Sequence, residues 1–530
     1  MERGVGGYSG KVRYNSFMKI LFLSAEVGPF VSVGGLSQVC YFLPRALAKE
    51  GDMVAIFTPK FRKMDKTASS KNGWKLKNEV MSLKVPLGED SRVTDLICNV
   101  KSYQRPIGSV KTYFLENREY YELRANVYGY QDDHVRFMLL CKGCLEWLLI
   151  QKQIKGAWFP DFIHCNDWHT GYFVELARRH PRYREIFNKV TIGLTVHNFK
   201  HQGNYDFRYC ALNDRDDGKQ MLCSINDGKL LKQNPLLRGI KFADAVTTVS
   251  PTHAREVLLS EYGYGLESVL QEERDKLSGI LNGLDMKEFN PSTDPLVPNH
   301  FNEKVFEDAR LKNKRILQQE FGLPVNSEDF LLAYSGRLDN QKGVSLLLET
   351  MQHLLPEFSN IQLIVLGGGE DLLRQLLREL AKLYPKQVGL HLLSNFKLPR
   401  KIFAGADALL IPSLFEPGGI VALEALRYGA VPIVRRTGGL SDIIVDFDPK
   451  TEKGNGFSFT TKDAWALHSA IIRAMTTFQN PKLWKKLVGN CLFEDFSWEK
   501  VAKIYQRWYK RTIEVRKRAL ALKNFVRMEI

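Results

Sequence analysis

The stretch Phe415–Ile433, FEPGGIVALEALRYGAVPI, contains two glutamates, Glu416 and Glu424, with a Pro-Gly-Gly corner directly after the first. The apolar segments on either side, ADALLIPS and AVPIV, are typical of buried parallel strands. If a helix begins near Gly419, Glu416 lies at its N-terminal end, where open α/β sheets bind ligands. Free N–H groups there favour an anion or a hydroxyl-rich ligand. The alternative is a solvated loop acid followed by an acid on a helix face. For Glu424 the two interpretations are about equally favoured. For Glu416 the ligand interpretation is favoured.

Composition limits the class of protein. The chain has 530 residues, enough for two or three domains, with a formal net charge of +16 and an isoelectric point near 9.3. This charge indicates an anionic ligand or partner. The densest basic run is the C-terminal segment 510–530, which lacks the interleaved aromatic residues of a nucleic-acid module and is typical of a solvated helix. We therefore do not expect a nucleic-acid partner.

The cysteines and apolar runs indicate a compartment. Eight irregularly spaced cysteines favour free thiols over a disulfide framework. Cys141 and Cys144 form a CKGC sequence, but the apolar spacing around them is that of a core helix. No signal peptide is recognisable, and no run approaches the ~20 apolar residues of a membrane span. The sequence predicts a cytoplasmic chain with no membrane partner, no metal and no cofactor.

The alternation of strand and helix patterns predicts an α/β fold with two doubly wound, Rossmann-like domains facing a central cleft. A Gly-rich basic leader, 1–17, is expected to be disordered. The first domain spans 18–275 and the second 276–497, with the boundary in a segment rich in Pro, Gly and Asn. Alternating segments within 60–130 indicate antiparallel strands or an insertion. A final amphipathic helix and basic tail occupy 498–530.

Polar side chains follow the predicted strands at the edge that would line the cleft. Asp167 ends the strand FIHCND, and His197 ends TIGLTV. Arg337 ends LLAYSG, and Lys342 begins the next helix. Each has an ordinary structural alternative, but two cations beside a helix N-terminus are suited to clamp a diphosphate. The set predicts a nucleoside diphosphate between the domains, with its sugar facing His197 and Glu416.

Two glycine-containing turns add backbone donors. Gly34 and Gly35, between the first strand and the first helix, would present N–H groups to a phosphate. Thr437, Gly438 and Gly439, after the strand AVPIV, would offer further donors. Glycines also serve tight packing of a strand against a helix, so either turn alone is a weak signal.

The chain carries, in order, the segments SAEVGPFVSVGGLSQV, HCNDWHTGYF, TVHNFKHQG, TTVSPTHARE, GILNGLDMKEFNPSTD, SGRLDNQKG, FEPGGIVALEAL and VRRTGGLSD. With these segments it resembles bacterial and plant glycogen and starch synthases over residues 18–512. The resemblance implies a GT-B fold, whose last helix crosses back to the first lobe, and retaining glucosyl transfer. The implied donor is a nucleoside diphosphate glucose, usually ADP-glucose in bacteria. The implied acceptor is the nonreducing end of an α-1,4-glucan.

The resemblance also implies roles for single residues. Arg337 and Lys342 would hold the diphosphate and stabilise the leaving group. His197 would contact the donor glucose near its anomeric carbon, and Glu416 would bind the sugar hydroxyls. Glu424 would contact the ribose of the nucleotide.

Asp167 would line the acceptor side, and the backbone at Gly34 and Gly35 would approach the donor. Three departures from the family pattern concern the same region. Ser32 stands where the family has a lysine that contacts the donor, and Gln38 stands where an acid is usual. The common Glu-Pro-Cys-Gly reads Glu-Pro-Gly-Gly here.

Other functions remain open at this point. One is a related retaining glycosyltransferase with another sugar nucleotide or a non-glucan acceptor, which Ser32, Gln38 and the paired glutamates favour. Another is a non-catalytic glucan-binding relative. Nucleic-acid binding is suggested by charge alone. The sequence does not indicate an oligomeric state.

Overall fold

The protein is described by a computed structural model that covers residues 17–62, 64, 74–88, 94–104, 109–393, 395 and 397–528, with the backbone alone for 523–528. The predicted leader lies outside the described residues apart from Phe17. The last side chains of the predicted basic tail also lie outside them.

Within the described residues, the first sheet has nine strands, in the order β3-β4-β5-β2-β1-β6-β7-β8-β9. The antiparallel pairs are β3 with β4 and β4 with β5, and the other pairs are parallel. The antiparallel strands expected within 60–130 are therefore confirmed. The strands are β1 Lys19–Leu23, β2 Met53–Pro59, β3 Lys77–Val85, β4 Leu96–Tyr103, β5 Lys111–Glu116, β6 Phe162–Asn166, β7 Thr191–Val196, β8 Ala245–Thr248 and β9 Leu277–Gly279.

The second sheet, again within the described residues, has six strands, all parallel, in the order β12-β11-β10-β13-β14-β15. Its central strands are buried along their whole length, as expected for a sheet with helices on both faces. The strands are β10 Phe330–Ser335, β11 Ile361–Leu366, β12 Val388–His391, β13 Ala408–Ile411, β14 Val431–Arg435 and β15 Phe457–Phe459.

Helices connect the strands in both sheets. They are α1 Gly35–Lys49, α2 Asp133–Gln153, α3 Gly171–Arg179, α4 Pro181–Phe187, α5 Pro235–Phe242, α6 Pro251–Glu256, α7 Ser260–Gly263, α8 Glu267–Glu272, α9 Glu307–Glu320, α10 Val344–Glu357, α11 Asp371–Leu383, α12 Leu398–Gly405, α13 Ile420–Arg427, α14 Gly438–Ile443, α15 Ala464–Phe478, α16 Pro481–Phe493 and α17 Trp498–Met528. A π-helical turn spans Arg118–Glu122, and 3-10 turns span Trp168–Thr170, Phe207–Tyr209, Leu212–Asp214, Gly228–Lys232 and Arg274–Lys276.

The hydrophobic residues form two cores. One contains side chains from Met18 to Ile280 together with the start of α17, and we call this unit the first lobe. The other contains side chains from Leu284 to Leu492, and we call it the second lobe. Two Rossmann-like domains were predicted, and this prediction is confirmed. The predicted boundaries after residues 275 and 497 stay predictions.

The last helix, α17, crosses back to the first lobe, as predicted. Tyr505 and Tyr509 are fully buried there. The Tyr509 hydroxyl lies 2.8 Å from His164 Nδ1 on β6. Gln506 Nε2 donates to Asp52 Oδ2 at 2.8 Å. Apolar and polar contacts together therefore attach the end of the chain to the first sheet.

Among the described helices, none is both long enough and apolar enough to cross a membrane.

Candidate active site

A cavity of about 1020 Å³ lies between the lobes, at the carboxyl ends of strands from both sheets. This is where parallel α/β sheets bind ligands. Most of the sequence-predicted site residues line it, from both lobes: Gly34, Gly35, Asp167, His197, Arg337, Lys342, Glu416 and Glu424. The structure thus brings together residues that lie almost four hundred positions apart in the chain.

Helix α13 opens onto this cavity. It begins at Ile420, directly after Gly419, whose positive φ of 66° is a conformation that favours glycine. No side chain caps its N-terminus, and Ile420 and Val421 both line the cavity. The first N–H groups of α13 are thus available to an anion. Glu416 lies beside this helix end, as the sequence predicts, and Glu424 lies four residues after Ile420, about one turn into the helix.

Glu416 is held by two groups of its own lobe. Lys342 Nζ donates to Glu416 Oε2 at 2.5 Å, and Ser413 Oγ donates to the same oxygen at 3.2 Å. The backbone N–H of Lys342 donates to Asp339 Oδ1 at 2.8 Å, which fixes the start of the loop before α10. Among the described residues, the second carboxylate oxygen of Glu416, Oε1, has no hydrogen-bond donor, so it is able to accept from a ligand hydroxyl.

Arg337 supplies a second cation beside the first. Its Nη1 lies 2.9 Å from Asp339 Oδ2, and its side chain is 67 % exposed. The remaining guanidinium donors therefore face the open cavity. With Lys342 and the N-terminus of α13, Arg337 provides cationic and N–H donors on one side of the cavity, which suit a diphosphate.

His197 faces these groups from the first lobe. Burial lowers its pKa to about 4, so the ring is neutral near pH 7. Its Nε2 lies 3.1 Å from the Asn166 amide oxygen, which only accepts hydrogen bonds. Nε2 is therefore the protonated nitrogen, and Nδ1 is an acceptor for a sugar hydroxyl.

Asp167 fixes the position of His197. Its backbone has a φ of 57°, unusual for a residue other than glycine, and its Oδ1 accepts the His197 N–H at 2.7 Å. Burial raises the pKa of Asp167 to about 7, against the lowering effect of that backbone hydrogen bond. Strained backbone at a cavity is common at functional sites.

Glu26 is a site residue that sequence reasoning missed. It is 3 % exposed, lines the cavity, and accepts the Val33 N–H at 2.6 Å and the Gly34 N–H at 3.4 Å. Burial raises its pKa to about 7. Glu26 thus holds the glycine turn that faces α13, where a Cβ on Gly35 would lie 3.4 Å from Ile420 Cδ1. The signal was present, because Glu26 lies just after β1 within SAEVGPF.

Other missed residues also line the cavity: Tyr128, His201, Arg208, Asn282 and Gln341. The Asn282 amide oxygen is buried and has no hydrogen-bond partner among the described residues. His201 and Asn282 lie in HNFKHQG and GILNGLD, next to strand ends, so the motif positions could have indicated them. Among the described residues, no group of three or more His, Cys, Asp or Glu side chains is arranged to hold a metal ion.

The structure does not bring Thr437, Gly438 and Gly439 to the cavity. The Gly438 N–H donates to both Glu256 carboxylate oxygens, each at 3.0 Å. The Gly439 N–H donates to the carbonyl oxygens of Glu416 and Pro417 at 3.1 and 2.9 Å. In this structure these N–H groups therefore bond within the protein rather than face a phosphate.

Two departures from the family pattern lie at the glycine turn. Ser32 Oγ is 2.7 Å from Ser37 Oγ. The Ser37 hydroxyl donates to the Gly34 carbonyl at 2.7 Å. Gln38 is exposed and lines the cavity. Neither side chain supplies a charge where the family has a lysine and an acid.

Burial also raises the pKa of Glu424 to about 7, with a smaller lowering effect from Arg400. Glu424 is therefore partly protonated near neutral pH, so it is able both to donate and to accept a hydrogen bond.

Comparison with known proteins agrees with this geometry. A family model described as the starch synthase catalytic domain matches residues 19–272, and one described as glycosyl transferases group 1 matches 316–486. The chain is 35 % identical to glycogen synthases of Thermotoga petrophila and Geobacillus stearothermophilus over 94 % of its length and 99 % and 98 % of theirs.

Solved structures give the same result. The catalytic domain of starch synthase IV from Arabidopsis thaliana, bound to ADP and acarbose, matches with a TM-score of 0.77 and 30 % identity, covering 94 % of this chain and all of that one. A sucrose-phosphate synthase from Thermosynechococcus elongatus, 19 % identical with a TM-score of 0.54 over 94 % of this chain and all of that one, shares the fold.

The protein has two facing Rossmann-like lobes, a cleft with cations beside an open helix end, and a last helix that returns to the first lobe. This fold and this site define a glycosyltransferase of the GT-B class. The relatives narrow this class further. The chain belongs to the glycogen and starch synthase family and is a glucosyltransferase of that type.

Proposed function

We propose that this protein transfers glucose from ADP-glucose to the nonreducing end of an α-1,4-glucan, with retention of the anomeric configuration. One observation carries the proposal: Arg337, Lys342 and the open end of α13 face His197 across a single cavity. Such a cavity has cations for a diphosphate on one wall and neutral acceptors for a sugar on the other.

The donor assignment is supported from two directions. The clamp of Arg337, Lys342 and α13 suits the diphosphate of any nucleotide sugar. The Arabidopsis starch synthase IV structure, 30 % identical, has ADP and acarbose bound. Glu424, inside α13, also lines the cavity, and we assign it the ribose contact that the family resemblance implies. We therefore assign ADP-glucose as the donor and a maltooligosaccharide-like chain as the acceptor.

In the proposed reaction, an acceptor hydroxyl oxygen attacks the anomeric carbon from the face that the diphosphate leaves. The bond from that carbon to the β-phosphate oxygen breaks, its electron pair departs with ADP, and the hydroxyl proton passes to the leaving phosphate. Arg337 and Lys342 stabilise the charge that develops there. Glu416 accepts from sugar hydroxyls, and His197 Nδ1 accepts from another. Closure of the lobes would exclude water from the donor.

A second candidate is a retaining transferase with another sugar nucleotide or a non-glucan acceptor. Ser32 and Gln38 support it, because both replace charged residues of the family at the glycine turn, and Gln38 lines the cavity. The clamp cations and His197 argue against a non-catalytic relative. The eight free cysteines support a reducing compartment such as the cytoplasm.

A panel of nucleotide sugars and acceptors tests both candidates. Purified protein is incubated with ADP-, UDP- or GDP-glucose and a labelled maltooligosaccharide, and released nucleoside diphosphate and product length are measured. We expect extension by single glucose units, fastest with ADP-glucose. Transfer to a different acceptor, with none to the glucan, would support the second candidate. If no glucose donor extends the primer, the proposed function is wrong.

A further inference from the structure

A pair of carboxylates joins the two lobes next to the cavity. The Glu256 carboxylate, at the end of α6 in the first lobe, accepts the Gly438 N–H with both oxygens at 3.0 Å. It also accepts the Thr437 hydroxyl at 3.3 Å. Glu256 thus caps the start of α14 in the second lobe. The cap comes from the opposite lobe rather than from the usual N-cap side chain.

The second lobe contributes a carboxylate to the first lobe in the same way. The Asp442 carboxylate, in α14, accepts the Thr252 N–H at 2.8 Å and the Ser250 and Thr252 hydroxyls at 2.5 and 2.6 Å. These groups belong to the first turn of α6. Each helix therefore carries the carboxylate that caps the other. We call Glu256 and Asp442 the carboxylate latch.

The latch is linked to the backbone of Glu416 through the start of α14. The Gly439 N–H, one residue after the Glu256 contact, donates to the Glu416 carbonyl at 3.1 Å. The approach is close, because a Cβ on Gly438 would lie 2.2 Å from that same carbonyl. A carboxylate of the first lobe therefore holds the loop that supports Glu416 in the second.

An aromatic contact reinforces this connection. Phe415 is 5 % exposed, and its ring centroid lies 5.2 Å from that of His253 and 5.4 Å from that of Tyr264, both in the first lobe. The Glu416 loop is also close to the segment that connects the two lobes. A Cβ on Gly418 would lie 3.1 Å from Nδ2 of Asn282 in that segment.

We propose that Glu256 and Asp442 are positioning residues, which set Glu416 against the first-lobe wall that carries His197. The proposal rests on the role of Glu416 in the proposed function. Charge-assisted hydrogen bonds of this kind are roughly twice as strong as neutral ones. Their partly buried position also shields them from water.

The test compares Glu256→Ala, Glu256→Gln and Asp442→Asn with the unsubstituted full-length protein. We expect kcat for glucan extension to fall about 10- to 100-fold in Glu256→Ala, because a small misplacement of reacting groups is costly. The Kd for ADP should change less than about twofold, since the phosphate clamp lies wholly in the second lobe. Glu256→Gln keeps one acceptor and should retain more activity than Glu256→Ala. Asp442→Asn should lower kcat in the same direction.

A matched control is Glu261→Gln, which removes a different carboxylate between the lobes, the one that forms an ion pair with Lys462. The Lys462 and Glu261 side chains are 42 % and 54 % exposed. Among the described residues, neither forms a hydrogen bond or an ion pair with the Glu416 loop. Its kcat should equal that of the unsubstituted protein. Unchanged kcat in Glu256→Ala, or a parallel loss of ADP affinity and Tm in Glu256→Gln, would overturn the latch.

Hydrogen exchange gives a readout that does not need activity. In Glu256→Ala, amides in 415–421 and 437–442 should exchange faster, whereas Glu261→Gln should leave them unchanged. Equal exchange in all variants would overturn the latch even if the protein transferred no glucose. Absence of transfer by the unsubstituted protein would instead contradict the proposed function.

Discussion

Lys342 and Glu416 form an ion pair beside the open end of α13. Lys342 provides a cation for the donor phosphate and at the same time orients the Glu416 carboxylate. Removing either residue leaves its partner unpaired in a half-buried site, which is costly beyond the loss of one contact.

We expect Glu416→Ala and Lys342→Ala each to lower kcat/KM for transfer by about 100-fold or more. Lys342→Ala removes a cation that stabilises the leaving group, and Glu416→Ala removes the acceptor that orients the donor sugar hydroxyls. Steady-state release of ADP with a maltooligosaccharide primer measures this. Lys450→Ala, an exposed lysine of the same lobe, is the control and should stay within about twofold. A near-normal rate with either site variant would remove that residue from the proposed site.

Asp167 predicts a pH dependence of stability. Its folded pKa of about 7 lies above its ordinary value of 3.8. Unfolding therefore releases a proton between about pH 4 and 7, and the stabilising contribution of the protonated form is lost as pH rises through that window. Asp167→Asn keeps an oxygen for the His197 N–H but does not titrate. Its free energy of unfolding, relative to the unsubstituted protein, should rise from pH 4.5 to pH 7.5. Urea unfolding at both pH values measures this, and a constant difference would contradict it.

The residues also show which parts of the site the sequence could reveal. The position of Glu416 at a helix end follows from a local signal, a Pro-Gly-Gly corner between a strand and a helix pattern. The role of Glu26 depends on a loop folding back on it. The partner of Gly438 is Glu256, far away in the chain and in the other lobe. Contacts of this long-range kind have no local pattern, so the sequence predicted free donors where the structure has a protein carboxylate.

At the scale of elements, the strands and long helices were the most predictable features. Continuous apolar runs such as those of β10, β11 and β13 have one stable environment, the interior of a parallel sheet. The short helix α14 was harder to interpret, because its start has no N-cap side chain of its own and is capped by the Glu256 carboxylate of the opposite lobe.

Helix α17 is the element whose packing is most directly testable. Tyr505 is fully buried against the first lobe, so Tyr505→Ala should lower the free energy of unfolding by about 3–5 kcal/mol through cavity formation. Arg507→Ala, on the exposed face of the same helix, should change it by less than about 0.5 kcal/mol. Urea unfolding followed by tryptophan fluorescence compares the two. Equal stability of the two variants would mean that α17 does not contribute to the first core.

At the scale of the whole molecule, charge should control donor binding more than acceptor binding. The net charge is +16, the donor is an anion, and the α-glucan is neutral. Raising KCl from about 20 to 300 mM shortens the range of electrostatic attraction from roughly 20 Å to below 10 Å. The KM for the nucleotide sugar should therefore rise several-fold, while the KM for a maltooligosaccharide should not. Equal salt dependence of both values would contradict an electrostatic donor site.

The return of α17 also determines the order in which the molecule is completed during synthesis. The second lobe has its whole core in one continuous stretch, 284–492, and leaves the ribosome before α17 does. The first lobe is translated earlier but lacks Tyr505 and Tyr509 until the final segment emerges. The lobe made first is therefore finished last, in contrast to the usual N-terminal-first order of domain folding. Until then the nascent chain exposes the apolar surface of the first lobe on which α17 packs, and a chaperone would shield this surface.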